Sequence, residues 1–156
     1  MEPIIHVTVY SSLCFITNYL HALTQEYTIY ALLFLGLTIS SVLHHSFSNE
    51  NNVTDTKPEP IKETIKIIDK TLCYLIIFYG AYMLSRKLQK VYSETESITK
   101  EKILLLIIIF STFFAIIFLF CSGNKYCFCE NLNDAYCWHA LLHIISSIGH
   151  HCIIFL

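Results

Sequence analysis

Residues 135–156 read AYCWHALLHIISSIGHHCIIFL, and the reading of this stretch decides the fold. About 20 apolar residues suffice to cross a bilayer as a helix, and the run has that length. It also carries His139, His143, His150 and His151. A helix turns by about 100° per residue, so His139 and His143 point the same way, with Ser146 and His150 within roughly 40° of them. Ionisable side chains in a membrane are costly, and they usually face a bundle interior and mark a site. The stripe places the chemistry on this helix.

Composition supports a membrane setting. Of 156 residues, 54% are hydrophobic and 14% charged, with a mean hydropathy of +0.55. The charges are confined to a few segments, and the runs between them approach membrane length. The expected architecture is therefore all-α: a multi-span transmembrane bundle of about five helices in a single integral-membrane domain over residues 1–156. The net charge of −2 says nothing useful about partners, and nothing in the sequence resembles a nucleic-acid footprint. The start of the chain lacks the basic flank and small-residue cleavage site of a removable signal peptide, so the first span is expected to stay. Seven cysteines are read as structural; Cys127-x-Cys129 alone is a weak signal for a disulfide or a metal.

The spans fall at about 4–20, 27–47, 63–84, 103–121 and 135–156. A polar turn at Thr24-Gln25-Glu26 joins the first two. The stretch 48–62, rich in Asn, Asp, Glu, Lys and Pro, has no apolar periodicity and reads as a flexible loop. Basic residues are balanced between the two sides, five against five, though Arg86 to Lys102 is denser and weakly favours that side as cytoplasmic. The triplet Asn52-Val53-Thr54 is a glycosylation sequon on the other side.

Passing through the membrane in order brings polar residues of separate spans to one depth. Ser40, Ser41, His44 and His45 lie at the exit of the second span, Asp69 at the entry of the third, His139 and His143 at the entry of the fifth. Three imidazoles with one open position form a catalytic zinc arrangement, in which the water at the open place has its pKa lowered to about 7. A nearby carboxylate can accept and pass on a proton, and a serine hydroxyl can stabilise a developing oxyanion. Each residue taken alone has a plainer reading. His44 or His45 suits a helix end at the interface, as do His150 and His151. Asp69 suits a helix N-terminus, and Ser40 and Ser41 suit close helix packing. An H-x-x-x-H pair would also serve haem or a proton relay. Convergence is what favours zinc.

At these residues the sequence resembles the alkaline ceramidases, within a wider superfamily of seven-span membrane proteins sharing S-x-x-x-H, Asp and H-x-x-x-H. HALLHIISSIGHHCIIFL from His139, with Gly149 six residues after the second histidine, is similar to the last helix of that family. Phe128-Cys129-Glu130-Asn131-Leu132 resembles its F-C-E-x-L, and Lys66-Ile67-Ile68-Asp69 its Q-L-L-D. Ser40 to Phe47 is similar to G-S-x-x-F-H-x-[ST]-L, which favours Ser40 and His44 over the equally spaced Ser41 and His45. The resemblance implies that His44, His139 and His143 hold Zn2+, supported by Ser40 and Asp69. It further implies cleavage of the ceramide amide into a sphingoid base and a fatty acid in endoplasmic reticulum or Golgi membranes. The chain departs from the family in having five expected spans rather than seven, as though one pair were missing. Leu142 stands where the family has Trp, Lys70 follows Asp69, and the acidic N-terminal calcium segment is reduced to Glu2. A homo-oligomer is one way to restore the missing wall around a lipid chain.

Two other readings compete. A receptor-like or scaffolding relative, as in the progestin and adiponectin receptor group, would keep the metal pattern without turnover. A small transporter passing protons or metal ions along its histidines would need neither Asp69 nor Ser40 at the same depth.

Overall fold

The computed structural model describes residues 6–47, 60–93 and 99–156. Glu2, the Asn52 sequon and residues 48–59 of the polar loop lie outside the described residues. Regular structure among the described residues is helical: α1 His6–Ser12, α2 Cys14–Thr24, α3 Thr28–Phe47, α4 Pro60–Ser93, α5 Lys100–Cys121 and α6 Leu132–Phe155, with a 3-10 turn at Gly123–Lys125. By length and composition α3, α4 and α5 can each cross a membrane. The chain is a membrane protein built as an all-α bundle. At 24 residues α6 is long enough, but its histidines and polar first turn leave it less apolar than those three.

Local chemistry explains the helix ends. Between α2 and α3 the amide of Tyr27 donates to Ala22 O and that of Glu26 to Leu23 O, with Glu26 at a φ of 62°. This is the paired-bond helix stop in which one left-handed residue satisfies the last carbonyls. Proline opens α4, where its missing N–H costs nothing. No Gly or Pro stands between Leu84 and Ser93, so α4 runs past its apolar part for more than two further turns. Thr99 caps α5 by accepting from the Lys102 amide, and Asn131 caps α6 by accepting from the Asn133 amide.

The first rod is broken at Leu13 between α1 and α2. The hydroxyls of Ser11 and Ser12 both donate back to the Thr8 carbonyl, at 2.9 and 2.8 Å. Such back-bonding competes with the backbone ladder and bends helices. At the break the Leu13 amide reaches only to Tyr10 O.

Pairwise contacts give an up-and-down arrangement. Ser11 meets His143 and Thr17 meets His151, so α1, α2 and α6 run in the same direction. Ser12 meets Ser41 and Phe15 meets Phe34, so α3 runs against them. Ser40 meets Asp69 while Tyr30 meets Tyr79, so α4 turns back again. Helix α6 packs against α1, α2 and α5, while α3 joins α1 and α2 to α4. The core holds Phe15, Ala22, Tyr30, Phe34, Leu37, Ile76 and Ile154, and a smaller cluster holds Met83, Ile109 and Ile153. Outward side chains such as Phe78 and Phe114, 70% and 73% exposed, form the apolar coat a bilayer would cover.

Two glycines allow close helix approach. A Cβ on Gly149 would come within 2.6 Å of Thr112 Oγ1, and one on Gly80 within 2.9 Å of both His150 Cε1 and the Tyr30 hydroxyl. Near the far end of α4, a cavity of about 640 Å³ opens between Ala81, Leu84, Leu88 and Phe110 of α5. It begins twelve residues along α4 from Asp69, roughly 18 Å at helical rise, and is therefore separate from the histidine cluster.

Candidate metal centre

Three imidazoles meet where α3 and α6 face each other. The ring centroids of His139 and His143 lie 4.8 Å apart, those of His45 and His139 4.9 Å, and those of His45 and His143 5.3 Å. One ligand nitrogen from each lies within 4.8 Å of the other two. His45 and His143 are buried and His139 half-buried. The i, i+4 spacing on α6 supplies two of the rings from one face, and α3 contributes the third.

The residues fit a metal ion. Nitrogens bound tetrahedrally to zinc at 2.0–2.1 Å would stand about 3.4 Å apart, so the rings need to close by about an ångström. His45 Nε2 is buried with no hydrogen-bond partner. A buried polar atom left unpaired is costly, and an ion among the three rings would satisfy it. Neutral imidazole is the ligand form, and a set of three imidazoles suits a transition-metal ion such as zinc, copper, iron or nickel.

The sequence expectation placed His44 with His139 and His143. The structure brings in His45 instead, and His44, half-buried, stands beside it with ring centroids 5.1 Å apart. The serines divide the same way. Ser41 faces the histidine side, with its oxygen 2.9 Å from Ser12 Oγ. Ser40 faces α4 and donates to Asp69 Oδ1 at 2.9 Å. Helix α3 thus carries two parallel i, i+4 pairs: Ser41 and His45 towards α6, Ser40 and His44 towards α4. Asp69 is the one buried carboxylate among the described residues, and its bond is to Ser40.

Sequence reasoning missed Ser11 and Ser12. Ser11 Oγ lies 2.9 Å from His143 Nδ1, and Ser12 Oγ lies 3.5 Å from the same nitrogen. Two adjacent serines inside an apolar run were the available signal.

The polar seam of α6 continues away from the cluster. Ser147 donates to Asn18 Oδ1 at 2.5 Å while Asn18 Nδ2 donates to Ser147 O at 2.9 Å. His150 Nδ1 is hydrogen-bonded to the Tyr30 hydroxyl, so this histidine is fully internal, not an interface anchor. His151 lies 2.9 Å from His21, Nδ1 to Nδ1, and 2.8 Å from Thr17. In the loop before α6, burial pushes the Cys127 thiol above its ordinary range, which disfavours the thiolate that metal binding needs.

No family model, curated protein or solved structure matches the chain.

Proposed function

We propose that the chain is a membrane-embedded, zinc-dependent hydrolase of the ceramidase type, cleaving the amide of a ceramide or related sphingolipid in endoplasmic reticulum or Golgi membranes. The observation that carries this reading is the meeting of His45, His139 and His143, with His45 Nε2 left unpaired. When bound, zinc supplies Lewis acidity and lowers the pKa of water at its open position. His45, His139 and His143 hold the ion, and the Ser41 hydroxyl lies on the same face of α3. Asp69 is the side chain suited to proton transfer, held in place by Ser40. The similarity of the α3, α4 and α6 segments to the alkaline ceramidases supplies the substrate class.

A specific observation favours a second reading. The Asp69 carboxylate is engaged by Ser40 on the α4 side of α3, whereas the three histidines gather on the α6 side. A receptor-like or scaffolding relative would keep metal and helix packing and need no base at the ion. The transporter reading has less support. Between His143 and the His150 level, the Asn18–Ser147 pair satisfies itself through an amide, which has no readily titrating proton to pass on.

The test is detergent-purified protein incubated with fluorescent ceramide, with and without a strong zinc chelator. Fatty acid release that chelation, His143→Ala and Asp69→Ala each abolish supports the hydrolase. Zinc retained at one ion per chain with no product overturns it in favour of the receptor-like reading.

A further inference from the structure

Both serine hydroxyls at the α1–α2 break lie within hydrogen-bonding distance of the Thr8 carbonyl, which can only accept. A serine hydroxyl carries a single proton. Ser11 gives its proton to the Thr8 carbonyl at 2.9 Å, and Ser12 gives its own to the same carbonyl at 2.8 Å. In this arrangement both serine protons are engaged by the backbone and neither is offered to His143. The 2.9 Å contact between Ser11 Oγ and His143 Nδ1 then has an N–H on Nδ1 donating and Ser11 accepting. The 3.5 Å approach to Ser12 is a weak second branch of that bond.

The neutral ring has one proton, so a proton on Nδ1 leaves the lone pair on Nε2. Metal-ligating histidines almost always donate their other N–H to an oxygen, which fixes tautomer and ring orientation. Here the acceptor comes from a different helix. Ser11 and His143 are both buried, at 6% exposure each, so water does not compete for the bond. The ring is also braced by Phe15 of α2, with centroids 5.4 Å apart.

We propose that Ser11, backed by Ser12, is a positioning residue for the metal centre, holding His143 as its Nδ1–H tautomer so that Nε2 is presented to the ion. The inference rests on the metal reading of His45, His139 and His143. It assigns the N-terminal rod a role beyond packing. The interruption at Leu13 adjoins the two serines whose hydroxyls reach back to Thr8.

Two measurements test it. In metal-free, full-length protein with 15N-labelled histidine, the His143 nitrogens, assigned against His143→Gln, should show a protonated Nδ1 and a bare Nε2. An Nε2–H tautomer in the wild-type chain overturns the proposal whether or not any variant folds. Zinc affinity is then measured by competition with a chromogenic chelator. Ser11→Ala should bind zinc about 10–100-fold more weakly, and Ser11→Thr, which keeps the hydroxyl, should return to within a few-fold of wild type. Ser11→Ala protein that elutes as the wild type does and binds zinc equally tightly overturns the positioning role and leaves the metal reading standing. Wild-type chain that binds no zinc overturns the metal reading itself.

Discussion

Ser40 donates its hydroxyl proton to Asp69 Oδ1 across 2.9 Å, and this bond ties the buried carboxylate of α4 to the face of α3 one residue round from the face that carries Ser41 and His45. Replacing Asp69 with Asn keeps the shape and an oxygen for Ser40 to donate to, while removing the group that can take up a proton. Loss of a positioned acid or base typically costs 10²–10⁴ in rate. Under the proposed hydrolase function, Asp69→Asn should therefore retain zinc and helicity and lose amide hydrolysis by about that factor. Single-turnover release of fatty acid, with zinc content measured in parallel, checks this.

His44 and His45 are neighbours with opposite expectations. His45→Ala removes a member of the candidate metal-binding group, so under the proposed zinc reading the ion content should fall well below one per chain. His44→Ala should keep it. With free zinc at a hundred times the dissociation constant, binding stabilises a fold by about 2.7 kcal/mol. Thermal unfolding with and without the ion should show this gain in His44→Ala and lose it in His45→Ala.

Gly80 is the place where α4 can approach Tyr30 and His150. A Cβ there would stand 2.9 Å from each, and overpacking of this kind costs about 1–3 kcal/mol. Tyr30→Phe should cost a similar 1–3 kcal/mol by leaving the buried His150 nitrogen without its partner. The two changes act on one contact, so the double variant should be less destabilised than the sum. Denaturation in detergent of all three variants supplies the comparison.

Lys87 secures the far end of α6. Its Nζ donates to the Ile154 carbonyl at 2.6 Å and stands 5.1 Å from the centre of the Tyr27 ring. A cation at a helix C-terminus is favourable, reaching about 2 kcal/mol in partly buried geometry. Lys87→Met keeps the stem and should lose about 1–2 kcal/mol, read as a lower midpoint in the same denaturation series.

In the loop between α5 and α6, Cys127 is buried and its thiol titrates above the ordinary range. The thiolate is the reactive form, so a raised pKa reduces reaction at neutral pH and defers it to more alkaline solution. Maleimide labelling across a pH series should find Cys127 slower than a fully exposed thiol at pH 7, with its rate still rising above pH 9. Mass spectrometry of the labelled peptides distinguishes it from Cys129.

The apolar runs by themselves determined the all-α bundle, and the expected edges of α3 lie within a residue of those found. The ends of α4 were less legible, because its polar extension contains good helix formers and no stop signal. On α6 the spacing of His139 and His143 was enough to put both on one face, since a helix fixes that by geometry alone. Which of Ser40 and His44 or Ser41 and His45 would join them was left to the tertiary structure. Those pairs differ by one residue, about 100° of rotation. In water an amphipathic stripe would set that rotation. In a membrane, lipid and helix neighbours are similarly apolar and supply no such preference. The turn of α3 about its axis is decided by close contacts instead, among them Ser12 with Ser41, Ser40 with Asp69, and Tyr30 with His150.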